Sequence, residues 1–346
     1  MKKTVLHHIG DLGIGGTQEM LLLLCKHMNI IDKESNFIHT VFYPADKDSL
    51  RFEQFSKILG KDRVFAYGSR PELVYITREI KPFITHRYSA GIPEFPFIKE
   101  IKQHCKHFIS TSVFGNQDET IDISKVIYVS SWIRNAVNKQ NDSNHLVVRN
   151  PVEDPLNNEN LRKELNIDED TFVFGHIGRP DPQTFDNLNL LAYSKIETDK
   201  TCFVIMGVEE YAKESFEKLN IKNYRLINKS IDTDRINRFY NTLNVMTHSR
   251  KDGECNSSAI WNAQSRGKPI ISHYGLHYQG HIECIQNSGF VTKYGDVDEY
   301  SRIMKAFADK KVDYEYFSNN AKSLWKNMCY ALDMGKKQLD IYKSLS

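Results

Sequence analysis

Short apolar runs alternate with helix-period patterns along almost the whole chain, and no other feature constrains the fold as much. In the first half the strand-like runs are residues 4–9, 37–43, 83–86, 107–111, 126–129 and 146–148. Helical patterns lie between several of them, as at 18–29 and 131–138. The second half repeats the pattern, with strand-like runs at 172–177, 203–206, 225–227, 245–247 and 269–272. Its helical patterns are 186–195, 209–219, 234–241 and 257–266. Strands that alternate with helices predict doubly wound parallel sheets in an α/β chain. At roughly 150 residues per domain, 346 residues divide into two. The apolar fraction of 40% supplies two cores.

The break between the halves falls at PVEDPLNNENLRKELNIDED, rich in Pro, Asn and Asp and poor in β-formers. It reads as a linker carrying one short helix. Residues 316–345 read as one long helical run, too long for a single step of the alternation. The expected division is 1–155 and 156–325, two Rossmann-like domains, with a helix over 326–346 returning to the first. In such folds ligands sit outside the carboxyl ends of the strands, so the expected site is the cleft between domains.

Composition removes several classes. The net charge is only +2, without the basic excess that nucleic-acid binding demands. The opening MKKTVLHHIG lacks a signal-peptide apolar core, and the run at 20–25 is far too short to span a membrane. Six cysteines are scattered without a C-x-x-C, which fits free thiols in a reducing compartment. His273, His277 and His281 are spaced by four and invite a zinc reading, but Gly275 and Gly280 interrupt any helix that would align them. KEIKQHCKH, residues 99–107, reads as a solvated helix face, with a membrane-surface patch as the alternative.

Three segments are candidates for chemistry. The first, RKDGECNSSAIWNAQSRGKPIIS at 250–272, follows a strand and enters a helix at the capping residues Asn256, Ser257 and Ser258. The free N–H groups of such a helix start, near Cys255, suit a diphosphate. Glu254 is a carboxylate beside them, better suited to sugar hydroxyls, and Asn262 lies about two helical turns on. A plain crossover with a capped helix is the alternative. The second, FGHIGRPDPQTFDN at 174–187, places Arg179 at a strand's carboxyl end, where a guanidinium suits phosphate oxygens. The third, GDLGIGGT at 10–17, brings Gly15, Gly16 and Thr17 to a helix start. It matches neither a dinucleotide nor a P-loop fingerprint, but it lets backbone approach a ligand.

Taken in order, these segments resemble glycosyltransferase family 4, the group 1 glycosyltransferases of GT-B fold, over nearly the whole chain. The resemblance is carried by Gly15 and Gly16, by VIYVSSWIR and VVRNPV, by Gly178 and Arg179, by VIMG and INRFYNTLNV, and by Glu254 followed by Asn262, Ala263, Gly267 and Pro269. The sequence departs from the family in three places. Asn262 stands where the family has a second Glu, Thr184 where it has a Lys, and Val113 and Phe114 where its first-domain His falls. His86 is the nearest polar replacement for that His, a core histidine being the alternative.

The resemblance implies two Rossmann-like parallel-sheet domains and transfer of a sugar, with retention, from a UDP- or GDP-sugar to a glycan, lipid or protein acceptor. Glu254, Arg179 and His86 would be catalytic. Gly15, Gly16, Thr17, Arg179, Thr184, Glu254, Cys255, Asn256, Ser257, Ser258 and Asn262 would hold the donor. No metal or other cofactor is implied and no nucleic-acid partner. The location would be the cytoplasm, with peripheral contact to the inner membrane surface through the first domain. The rivals are another enzyme of the same fold, such as a sugar-nucleotide epimerase or a phosphorylase, and a non-catalytic sugar-nucleotide-binding subunit. An NAD-dependent oxidoreductase would need a better glycine fingerprint.

Overall fold

The computed structural model describes residues 2–34, 36–89, 97–116, 122–178, 185–207 and 209–346. The chain forms two compact units, Met1–Pro151 with Ala331–Ser346, and Val152–Tyr330.

The first unit holds β1 (Lys3–His8), α1 (Gly16–Ile31), β2 (Phe37–Pro44), α2 (Phe52–Leu59), β3 (Val64–Tyr67), α3 (Arg70–Ile80), β4 (Ile84–Ser89), α4 (Phe97–Lys102), β5 (His107–Ser112), β6 (Lys125–Tyr128), α5 (Ser131–Ala136) and β7 (His145–Val147). The sheet order is β3-β2-β1-β4-β5-β6-β7, with every pairing parallel.

The second unit holds β8 (Phe172–Ile177), α6 (Leu188–Ser194), β9 (Thr201–Met206), α7 (Glu209–Lys218), β10 (Tyr224–Ile227), α8 (Thr233–Thr242), β11 (Val245–Thr247), β12 (Gly253–Glu254), α9 (Ser258–Ser265), β13 (Ile270–His273), β14 (Tyr278–Gln279), α10 (Ile282–Ile285), β15 (Gly289–Thr292), α11 (Val297–Ala308) and α12 (Tyr314–Met328). Its main sheet runs β10-β9-β8-β11-β13-β15, and β12 pairs with β14 in a small sheet of two. The period of two along each strand divides the apolar residues between two cores. Val173, Val204, Met246 and Ile270 face Phe239, Trp261 and Trp325. Phe174, Phe203, Val245 and Ile271 face Tyr193, Phe216, Tyr300 and Phe307. Burial on both faces is why these strands read as continuous apolar runs.

Apart from the two-residue strands β12 and β14, two strands escape that signal, β3 and β15. Both are sheet edges. The two middle residues of β3 are exposed, and three of the four in β15 are only half-buried, so neither makes an apolar run. The linker carries one turn rather than a helix, closed by Leu165 N–H donating to Leu161 O at 2.9 Å. Asn166, at φ 52°, leaves the helical region and stops it. The segment is nonetheless pinned: Arg162 donates to the carbonyls of Asp168 and Thr171 and to Asn244 Oδ1, each at 2.9 Å.

The expected single C-terminal run is two helices. It breaks at Cys329 and Tyr330, where Tyr330 pairs with Val152 as an isolated bridge. Beyond the break α13 (Ala331–Lys343) packs on α1 in the first unit. Among the described residues no helix is long and apolar enough to cross a membrane.

The α1/α13 contact is close because Gly335 has no side chain: a Cβ there would stand 2.6 Å from His27 Cβ. Gly335→Val should therefore separate the helices. Overpacking costs about 1–3 kcal/mol, which outweighs the few tenths that valine gains over glycine in helix propensity. The expected result is a lower urea midpoint for the first unit. An unchanged or raised midpoint would show that the contact has room.

Candidate functional site

In the second sheet the chain runs outward in one direction through β8, β9 and β10, then returns to the other side of β8 with β11 and β13. The order thus reverses between β8 and β11. The loops after two such strands diverge and leave a crevice at their carboxyl ends. The loop after β11 carries His248, Ser249, Arg250 and Glu254. Phe185, near the end of the loop after β8, forms an antiparallel bridge with Arg250.

Backbone contact locks the Glu254 loop. Gly253 has φ 73°, and a Cβ on it would lie 1.8 Å from Tyr278 O. A Cβ on Gly280 would lie 1.9 Å from Cys255 O. The small β12/β14 sheet forms only because both positions lack side chains.

Glu254 is the electrostatic centre, with a side chain 23% exposed. Its Oε2 accepts from His248 Nε2 at 3.3 Å and its Oε1 from Arg250 Nη1 at 3.1 Å. Burial raises the pKa of the carboxyl, but the His248 hydrogen bond and charge, Arg250 and the Ser257 hydroxyl together outweigh it. The net result lies well below the usual carboxylate range. Glu254 is therefore an anion at neutral pH. Ser257 also caps α9, its Oγ accepting from Ile260 N–H at 3.4 Å, which ties the carboxylate to the helix start.

Beyond His248, the rings of His176, His273 and His281 are neutral, and geometry sets their tautomers. Nδ1 of His281 accepts from Glu254 N–H at 3.2 Å, so its Nε2 donates to His273 O at 2.9 Å. Nε2 of His273 accepts from Arg250 N–H at 3.2 Å, so its Nδ1 donates to Tyr274 O at 2.8 Å. His176 donates from Nδ1 to Thr247 O at 3.1 Å. Burial, then the charge of His248, lowers the pKa of both His176 and His281 to about 4.

The other expected donor residues are distributed as follows. Cys255 is buried, and Asn256 Oδ1 accepts from the indole N–H of Trp261 at 2.8 Å, so that oxygen serves the core. Ser258 opens α9. Asn262 Nδ2 donates to Ser258 O at 3.0 Å, which turns its carboxamide back onto its own helix. Arg179 and Thr184 lie outside the described residues. In the first unit Gly15 is the N-cap of α1, with no side chain capping the helix, and Gly16 and Thr17 open it. The loop before them is braced by Asp11, which accepts from Gly13 N–H at 2.8 Å and Gln18 Nε2 at 2.7 Å.

His86 lies in the middle of β4 and is fully buried. Its Nδ1 meets the Tyr342 hydroxyl of α13 at 2.6 Å and its Nε2 the Thr111 hydroxyl at 2.8 Å. Burial, with His39 adding to it, lowers its pKa to about 3. A substrate would reach this ring only after Tyr342 moved.

Sequence reasoning assigned no role to Arg250, His248 or His176. One signal was present: Arg250 and Glu254 are four apart, the spacing of an ion pair. The three histidines once weighed for zinc separate, His281 and His273 being buried and His277 exposed near Asp252 at 3.9 Å.

No curated protein matches the sequence. Residues 157–324, most of the second unit, match the family described as Glycosyl transferases group 1. Among solved structures the whole chain is similar to a glycosyltransferase from Rickettsia africae ESF-5, at TM-score 0.79 and 16% identity over 99% of this chain and 98% of that one. It is also similar to Anabaena HepE in complex with UDP and glucose, at TM-score 0.75 and 15% identity over 99% and 100%. A third similar structure is the pneumococcal O-GlcNAc transferase GtfA in complex with UDP and GlcNAc, at TM-score 0.75 and 9% identity over 99% of each chain. The chain has the GT-B glycosyltransferase fold, and its second unit carries the group 1 match.

The buried histidines set an acid limit on stability. A folded pKa of about 4 for His176 and His281 lies below the ordinary 6.5. The unfolded state therefore binds more protons between these values, and stability, full above pH 6.5, falls as the pH drops. Each ring should contribute a slope approaching about 1.4 kcal/mol per pH unit near pH 5.5. Glu254 acts in the same direction but lower, below its ordinary 4.5. Urea midpoints from pH 8 to pH 5 check this, and a flat profile would contradict neutral burial of these rings.

Proposed function

We propose that the chain is a retaining glycosyltransferase that moves a sugar from a UDP- or GDP-sugar to a glycan, lipid or protein acceptor. The observation that carries this reading is Glu254, ionised and clamped by Arg250, His248 and Ser257 at the switch point of the second sheet. A fixed anion repels phosphate, so it serves the sugar: lone pairs left by its protein donors accept hydroxyl hydrogen bonds and orient the ring. The leaving diphosphate needs positive charge. Arg250 supplies a guanidinium whose Nε is buried without a hydrogen-bond partner among the described residues. The N–H groups at the start of α9 add the positive end of a helix dipole. Arg179 belongs to the same proposal. These groups take the departing charge without a divalent metal, and the cytoplasm, where nucleotide sugars are made, is the proposed location.

A second reading has one observation in its favour. Asn262 spends its amide on Ser258 O, so it offers a ribose less than a free carboxylate would. On that reading the chain binds a nucleotide sugar without transferring from it.

A thermal-shift screen over UDP-, GDP- and ADP-sugars tests both, because a ligand that binds only the folded state raises the melting midpoint by mass action. A shift with at least one donor is expected, and no shift with any would reject both readings. Donor turnover with candidate acceptors then separates transferase from binding subunit. In titrations Arg250→Ala should weaken UDP or GDP by roughly 10- to 100-fold, the loss of one or two charge-assisted hydrogen bonds. Glu254→Gln should leave the free nucleotide unaffected and weaken only the sugar-bearing donor. Equal loss of both ligands in Glu254→Gln would remove Glu254 from the sugar.

A further inference from the structure

The first unit buries three histidines together, His7 on β1, His39 on β2 and His86 on β4. His7 Nε2 meets His39 Nδ1 at 3.0 Å. The Tyr88 hydroxyl lies 3.5 Å from His7 Nδ1 and 3.2 Å from His86 Nδ1. Tyr342 of α13 covers all three rings, its centroid 6.3 Å from His7, 6.1 Å from His39 and 5.8 Å from His86. Its hydroxyl also meets His86 Nδ1. No carboxylate is among the hydrogen-bond partners of the three rings, and His39 Nε2 is buried without a partner among the described residues. Asp32 acts on His39 through its charge and Arg63 opposes it, but the oxygens of Asp32 accept from Phe37 N–H and Asn36 Nδ2, each at 2.9 Å. Burial keeps the other titratable groups of the cluster, Tyr88, Tyr342 and Cys25 of α1, uncharged. His27, also on α1, lies against Gly335 of α13 instead.

We propose that these three rings are an acid-sensitive latch: a proton taken up by the cluster frees Tyr342 and lifts α13 off the first unit. The neutral rings share one proton across the His7–His39 contact. An added proton places a buried charge beside two other imidazoles with no carboxylate in hydrogen-bond reach, and desolvation then works against docking. The element that yields is α13, because its chain arrives from the second unit and only non-covalent contact holds it to the first. Burial, with the charges of His39 and His86, keeps His7 well below the ordinary 6.5. Burial likewise lowers His39 to about 4, as it lowers His86 to about 3. Water that reaches the rings after release restores the ordinary value, so the released form binds more protons below pH 6.5. Docking is therefore complete above that pH and weakens as the pH falls toward 4.

Hydrogen exchange of the full chain from pH 8 to pH 5, corrected for intrinsic rates, tests the latch. Protection of residues 331–346 should fall by roughly 30-fold or more, the change for one ring that regains the ordinary value on release. Strand β5 should stay better protected than α13 at every pH, which marks the opening as local. His39→Gln and His86→Gln each remove one titrating ring and keep a hydrogen-bonding side chain, and at least one should flatten the fall. His27→Gln should leave the fall as in the parent. If neither cluster variant folds, ¹⁵N spectra of the parent's histidines decide: rings that charge as α13 loses protection support the latch, and rings that stay neutral through that loss overturn it. A flat profile in the parent, equal protection of α13 and β5, an unaltered fall in both cluster variants, or a fall lost in His27→Gln also overturns it.

Discussion

A parallel sheet packed with side chains on both faces has only its ends left for chemistry. In the second unit the Trp261 and Tyr300 layers fill the two faces completely, so functional groups collect where β8 and β11 part. The Glu254 site follows from that restriction. The loop after β11 must turn sharply to stay over the strand ends, which brings Gly253 against Tyr278 and puts Glu254 before α9. The same restriction holds in the first unit, where α1 starts after β1 with an uncapped N-terminus.

Electrostatics at the Glu254 cluster is a contest between desolvation and pairing, and pairing wins. A half-buried carboxylate on its own would move toward protonation. His248, Arg250 and Ser257 reverse this. The neutral histidines farther out matter in a different way. His281 and His273 relay hydrogen bonds between the Glu254 backbone, the His273 carbonyl and the Arg250 backbone, so the loop and β13 hold each other in place without adding charge. Glu254 and Arg250 thus form an ion pair among polar groups that include the neutral rings of His176, His273 and His281. That arrangement suits a ligand with a charged end and a hydroxyl-rich end.

The fold was legible wherever burial was complete. Strands β1, β2, β5, β8, β9 and β11 announce themselves because both of their faces are covered. The edges β3 and β15 do not, because half of a short edge strand faces water. Glu254 and the start of α9 were legible as a helix entry after a strand. Arg250 was not, since an arginine four residues before a glutamate reads as an ordinary surface pair until the fold encloses it. His86 illustrates the reverse: it stands at the end of an apolar run, yet it spends both ring nitrogens on Thr111 and on Tyr342, which is 256 residues away.

By itself the sequence determined the two parallel α/β sheets, the helix entry at Asn256, Ser257 and Ser258, and the resemblance to a glycosyltransferase. All of these are local periodicities or short motifs, set by neighbours along the chain. Only the tertiary structure decided that Glu254 is shared among His248, Arg250 and Ser257, that Asn256 Oδ1 serves Trp261 and the Asn262 amide turns back onto α9, and that His86 is closed over by Thr111 and Tyr342. The physical reason is range. A side chain's charge state and free hydrogen bonds depend on how the fold buries it and on whatever packs against it: Glu254 finds its partners nearby in the chain and the fold encloses them together, while His86 meets partners 25 and 256 residues away.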